Sequence, residues 1–306
     1  MRGRRGFAIV FSGQGMQHAA MLPWLAEAAW VEQTRRALRV DDWRLALDDP
    51  VWASCNANAQ TLLTGLNLAA WAQLSPALEP PAAVAGYSVG ELASFAAVGV
   101  FDATTALALA GTRARAMDRC ADAAPGGLLA VSGMAQLQIE RLCAASGCVI
   151  AIDNGSHAVV LGGTSAALQT AEQMARAAGA SPTRLKVNVA SHTPWMLAAA
   201  GEFALALSAL PFRPPRAPLF SNTGDRISSS RQAAGALALQ MAQTVRWSAC
   251  MDHIDMRRVG CVLEIGPGAA LARMWNQRFP DVPARSVDEF RRQSAIVDWV
   301  NRHGGD

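Results

Sequence analysis

Residues 82–91 read Ala82-Ala83-Val84-Ala85-Gly86-Tyr87-Ser88-Val89-Gly90-Glu91, a short apolar run that passes straight into a Gly-x-Ser-x-Gly turn. Pro76, Pro80 and Pro81 break the chain just before it, so the run reads as a buried strand. An alanine-rich stretch to Val98 follows at once and reads as a helix. Strand, tight turn and helix without a spacer make a nucleophile elbow, in which flanking glycines permit a sharp turn that exposes the Ser88 hydroxyl at a helix N-terminus. The dipole and free N–H groups there can stabilise a developing oxyanion.

Outward from this junction the chain alternates. Upstream, residues 62–74 carry apolar side chains at helical spacing, and residues 7–11 form an apolar first strand closed by the turn Ser12-Gly13-Gln14-Gly15, after which a helix is expected. Downstream, a helix over 103–121 ends near Pro125-Gly126-Gly127. The next segments read as strand (128–132), helix (135–145), strand pair (149–153 and 158–161), helix (165–178) and strand (184–189), the split βαβ or ferredoxin-like order. Alternation then resumes: a helix from Pro194, a strand at 219–221, a helix at 233–241 and a strand at 261–265 ending in Gly266-Pro267-Gly268. The expected fold is α/β: an α/β-hydrolase-like catalytic domain with a mostly parallel sheet (1–122 and 190–306), carrying an inserted ferredoxin-like domain (123–189).

Bulk properties narrow the function classes. With 306 residues, 51% hydrophobic and 17% charged, the chain can build a large core and is no disordered segment. It has no apolar run of about 18 residues, so no membrane span is expected. A net charge of +3 with scattered basic residues offers no nucleic-acid footprint. The only basic cluster, Arg2, Arg4 and Arg5, precedes an apolar run too short for a signal peptide, so a cytoplasmic protein is expected. Cys55, Cys120, Cys143, Cys148, Cys250 and Cys261 show neither zinc spacing nor a disulfide framework and read as reduced, mostly core residues. Lys186, the single lysine, carries no functional reading.

A serine nucleophile needs a base, and the histidines are His18, His157, His192, His253 and His303. His192 is best placed, between a strand and the N-cap and first-turn proline Thr193-Pro194; His253 falls within a helical stretch and reads as structural. Arg113 shares a helix face with Ala106, Leu109, Ala110 and Met117, which sets a guanidinium on an apolar stripe. Such a cation needs an anion, either a protein carboxylate or a substrate carboxylate. The residues alone favour the protein pair.

At this point an ordered series of motifs resembles one family. Phe11-Ser12-Gly13-Gln14-Gly15-Met16-Gln17 is similar to the opening of malonyl-CoA:acyl carrier protein transacylases, and Gly86 to Glu91 to their Gly-His-Ser-x-Gly-Glu. Arg113 with Arg115 and Met117, Asn154, Ala190-Ser191-His192-Thr193-Pro194, Ser221-Asn222, Val245-Arg246-Trp247 and Glu264-Ile265-Gly266-Pro267-Gly268 continue the match in order over nearly the whole chain. The resemblance implies Ser88 as acylated nucleophile, His192 as base, Arg113 as holder of the malonyl carboxylate, and Gln14 and Val89 as backbone oxyanion donors. It further implies that the main-chain carbonyl of Gln240 orients the histidine, so that no acidic third member is needed, and that Tyr87, Ser191 and Asn154 border the pocket. Malonyl-CoA is the implied substrate and the prosthetic thiol of an acyl carrier protein the acceptor, with no permanently bound cofactor and no metal.

Two departures refine this. Tyr87, the only tyrosine, stands where the family has His, and Ser12 where it has Pro. Tyr-Ser-Val-Gly-Glu-Leu resembles the epsilon subunits of malonate decarboxylase, which implies other subunits of that complex as partners. Val189-Ala190-Ser191-His192 looks closer to methylmalonyl-selective members and leaves strict malonyl selectivity open. The rivals are a transacylase of fatty acid or polyketide synthesis, a serine hydrolase or thioesterase, and a non-catalytic carrier-binding subunit. Retention of Ser88 and His192 weighs against the last.

Overall fold

Phe7–Phe11 is buried at all five positions, the signature of a strand covered on both faces. In the computed structural model, which describes residues 5–155 and 158–305, it is the first of eleven strands. These are β1 (Phe7–Phe11), β2 (Ala83–Gly86), β3 (Gly126–Ser132), β4 (Val149–Asp153), β5 (Ala158–Thr164), β6 (Ser181–Arg184), β7 (Leu219–Phe220), β8 (Arg226–Ile227), β9 (Val245–Arg246), β10 (Cys261–Ile265) and β11 (Ala284–Ser286). Arg2, Arg4 and His157, considered above, lie outside the described residues.

The fold is mixed α/β with two sheets. The first has the order β11-β10-β1-β2-β7-β8 and is parallel except for β8, which returns antiparallel to β7. Its register brings Phe11 level with both Gly86 and Ile265. The turns after β1, β2 and β10 therefore leave the same carboxyl edge, the place where open parallel sheets hold ligands. The second sheet, β6-β3-β5-β4-β9, is antiparallel among its first four strands, while β9 joins β4 in parallel from outside residues 123–189.

Helices bring the remaining groups to that edge. Asn56–Leu74 is buried on almost every face and packs against Ala103–Ala123, whose start is capped by Asp102 Oδ1 accepting from Thr105 N–H at 2.7 Å. Among the described residues no helix is long and apolar enough to cross a membrane, and all six cysteines are free.

Several segments differ from the sequence reading. No helix follows the Ser12-Gly13-Gln14-Gly15 turn directly; the first helix is Ala29–Leu38. The intervening chain is pinned instead, with Leu22 N–H on Asp288 Oδ1 and Trp24 Nε1 on the Val287 carbonyl, and its buried Met21, Leu22 and Trp24 plug the core. The strand expected over 184–189 lies earlier, because β6 pairs with β3 from Ser132↔Ser181 to Leu129↔Arg184. Beyond Leu185, whose N–H still reaches the Leu128 carbonyl, the chain leaves the ladder and carries His192 to the first sheet's edge. Helix Ser230–Leu239 ends before Gln240, and the closing helix Gln293–Gly304 had no counterpart in the sequence reading.

Candidate active site

The elbow forms because backbone crowds backbone. A Cβ at Gly86 would lie 2.2 Å from the Gly90 carbonyl oxygen, so no larger residue fits where β2 turns into helix Gly90–Ala97. Ser88 sits at the apex with φ 55°, a left-handed conformation rarely adopted outside glycine and sustained only by its surroundings. Asn222, just after β7, supplies them: its Oδ1 accepts from Ser88 N–H at 2.7 Å and its Nδ2 donates to the Gly86 carbonyl. Glu91 Oε1 in turn accepts from Asn222 N–H at 2.6 Å.

Ser88 Oγ lies 2.7 Å from His192 Nε2. On the far side of the ring, Nδ1 is 2.6 Å from the Gln240 main-chain carbonyl, which can only accept, so Nδ1 carries the proton and Nε2 presents its lone pair to the serine. That carbonyl is available because Gln240 is the C-cap of helix Ser230–Leu239, where the last C=O groups lack helical partners. His192 itself has φ 63°, and its N–H is tied to the Met241 carbonyl at 2.9 Å.

A cleft of about 400 Å³ opens on this pair, lined among others by Gln14, Tyr87, Ser88, Arg113, Ser191 and His192. A Cβ on Gly13 would be 2.6 Å from the Tyr87 carbonyl oxygen, so the loop bearing Gln14 presses against the elbow. Val89 is the N-cap of Gly90–Ala97; the N–H groups of Gly90, Glu91 and Leu92 find acceptors at Tyr87, Ser88 and Val89, which leaves the Val89 N–H outside that ladder. Asn154 reaches the cleft through Tyr87, whose hydroxyl donates to Asn154 Oδ1 at 3.1 Å while its ring meets Trp247 edge-on. His18, His253 and His303 are engaged elsewhere, with Asp288, Phe220 and Trp299. A larger groove bordered by Cys143, Cys148 and Arg246 touches His192 but not Ser88.

Arg113 corrects one expectation. The residues alone favoured a protein carboxylate as its partner, yet among the described residues no carboxylate lies within ion-pair distance of it. Arg113 as a whole is 1% exposed. Its Nη1 donates to Gln60 Oε1 at 2.7 Å and its Nη2 to Gln240 Oε1 at 3.1 Å, while Nε has no partner. A buried cation held by neutral amides retains its capacity for an anion.

The electrostatics follow from burial. Desolvation, reinforced by the charge of Arg113, pushes His192 down to about 3 despite the opposing Gln240 bond, so the ring is neutral at ordinary pH. Desolvation likewise lowers Arg113 to about 10, with Glu91 opposing, and raises Glu91 to about 8. Glu264, at the end of β10, lines the same cleft and is pushed up to about 7 by burial, although its Oε2 accepts from Ala272 N–H. No group of three or more potential metal ligands occurs among the described residues. The sequence patterns alone give Gln60, Asn222 and Glu91 no role, although Asn222 and Glu91 stand within the motifs.

Residues 8–295 match the acyl transferase domain family. The chain is 31% identical over 294 residues to the malonyl CoA-acyl carrier protein transacylase of Mycobacterium tuberculosis H37Rv, covering 92% of this chain and 95% of that one. The chain belongs to the malonyl-CoA:acyl carrier protein transacylase family. The Escherichia coli K12 transacylase is 29% identical over 308 residues, with 95% and 99% of the two chains covered. Among solved structures, the Burkholderia pseudomallei acyl-carrier-protein S-malonyltransferase superposes with a TM-score of 0.88 at 28% identity, covering 96% of this chain and 99% of that one. A malonyl-transacylase solved in complex with its type II PKS acyl-carrier protein gives the same TM-score, identity and coverage.

Proposed function

We propose that this family member moves a malonyl group from malonyl-CoA to the prosthetic thiol of an acyl carrier protein of fatty acid or polyketide synthesis. The observation that carries the reading is the 2.7 Å contact between Ser88 Oγ and His192 Nε2 in a cleft that also holds the buried Arg113, which has no carboxylate within ion-pair distance among the described residues. Ser88 Oγ attacks the thioester carbonyl as its proton passes to Nε2; the C–S bond breaks and the CoA thiol leaves with that proton. The carrier thiol then gives its proton to Nε2 and attacks the malonyl-serine ester, and Ser88 Oγ leaves reprotonated. Gln14 and Val89 N–H groups take the oxyanion in both halves. Arg113 takes the free carboxylate, and the Gln240 carbonyl keeps the histidine in its working tautomer where a hydrolase uses an acid. Tyr87 and Ser191 border the acyl pocket, with Asn154 fixing the tyrosine.

We read the scaffold as an α/β-hydrolase-like domain (1–122 and 190–306) with a ferredoxin-like insertion (123–189), supported by the β6-β3-β5-β4 order, and we place it in the cytoplasm with its substrates. A second reading, the epsilon subunit of malonate decarboxylase, rests on Tyr87 and the Tyr-Ser-Val-Gly-Glu-Leu run that contains it; the named relatives favour the first. Purified protein with malonyl-CoA and separate holo carriers tests both. Transfer to a biosynthetic carrier is expected, and transfer only to a decarboxylase carrier would select the second. Release of free malonate with no transfer would leave a thioesterase.

A further inference from the structure

How strongly a buried arginine selects an anionic ligand depends on what already neutralises it. Here the two groups that fix the planar fork of Arg113 are carboxamides, Gln60 on Nη1 and Gln240 on Nη2. Neither amide can turn over freely. Gln60 Nε2 donates to Asn56 Oδ1 at 2.7 Å and Gln240 Nε2 to the Ser88 carbonyl at 3.1 Å, so both present oxygen to the guanidinium. The one carboxyl that acts on Arg113 across the core, Glu91, lies beyond ion-pair distance of it, and its own burial pushes it toward the protonated, uncharged form. The cation is therefore oriented without being cancelled.

We propose that the side chains of Gln60 and Gln240 are positioning residues that set the charge selectivity of the acyl pocket, holding Arg113 in place while leaving its charge for a carboxylate on the acyl group. Gln240 adds a geometric link, since the same amide that holds Arg113 holds the Ser88 carbonyl and so ties the anchor to the nucleophile. The proposal rests on the reading of Arg113 as carboxylate anchor. A glutamate has the shape of glutamine but would supply the anion from within, leaving malonyl repelled and acetyl favoured.

Gln60→Glu is the primary test, because Gln60 bonds neither Ser88 nor His192; Gln60→Met removes the contact without adding charge, and Gln240→Glu is the independent second variant. The readout is the ratio of kcat/KM for malonyl-CoA to that for acetyl-CoA, with KM and kcat separated. Each glutamate should lower the ratio by about 10- to 100-fold, the range of a charge-assisted pair, chiefly through the malonyl KM, and Gln60→Met should lower it much less. Arg113→Ala should collapse the ratio in the same assay. If it does not, the anchor reading fails and the proposal with it. If Arg113→Ala collapses the ratio but both glutamate variants leave it within about twofold of the parent, or Gln60→Met matches Gln60→Glu, the neutral cradle alone is wrong.

Discussion

The imidazole of His192 donates through Nδ1 to the main-chain carbonyl of Gln240 at 2.6 Å, so the histidine is aimed by the end of a helix rather than by an acid. The negative end of that helix also favours the imidazolium formed during transfer. Replacing His192 with Ala should slow Ser88 acylation by about 10²–10⁴-fold, the usual contribution of a general base. Rapid-quench measurement of the acylation burst checks it; an unchanged burst would place the base elsewhere.

Arg113→Lys keeps a charge but loses the fork that meets Gln60 and Gln240 together. It should recover only part of the malonyl preference lost in Arg113→Ala, read as competition between malonyl-CoA and acetyl-CoA. Full recovery would mean that charge alone selects the substrate.

Asn222 holds the elbow from both sides, accepting from Ser88 N–H and donating to the Gly86 carbonyl. Asn222→Ala strands buried backbone groups and should destabilise the fold by about 1–3 kcal/mol in denaturant titration. Acylation should slow as well, since among the described residues Asn222 is the group that bonds the Ser88 N–H. An unaltered midpoint with full activity would show that the turn holds itself.

Stability should respond to pH with two opposite signs. Glu91 rises from 4.5 to about 8 on folding, so the unfolded chain loses its proton first and stability falls as pH climbs between those values, with Glu264 adding in the lower part. His192 falls from 6.5 to about 3, so the unfolded chain takes up its proton first and stability also drops as pH descends through that window. Glu91→Gln should make the decline above pH 4.5 shallower in melting curves. A slope equal to the parent's would show that Glu91 ionises freely.

Much of the fold was legible because the central strands of the first sheet are short, fully buried runs. β1 and β10 coincide with the apolar segments read from the chain, and the elbow is a local motif. β6 lies ahead of the expected 184–189 because its edge position, with Pro182 and an exposed Ser181, carries no apolar signature. The site divides the same way. Ser88, His192 and the stripe bearing Arg113 are sequence patterns, whereas the partners of Arg113 lie 53 and 127 residues away and are ordinary glutamines until the fold brings them in. An ion pair was the natural expectation for a cation on an apolar stripe, and only packing reveals amides there instead.

The transfer turns on Ser88 carrying the acyl group between two thiols. Intact-mass analysis of the protein mixed with malonyl-CoA, followed by peptide mapping, tests it most directly. A single malonyl adduct is expected on Ser88, disappearing when holo carrier protein is added and never forming in Ser88→Ala. An adduct that persists in Ser88→Ala, or that maps to a cysteine, would contradict it.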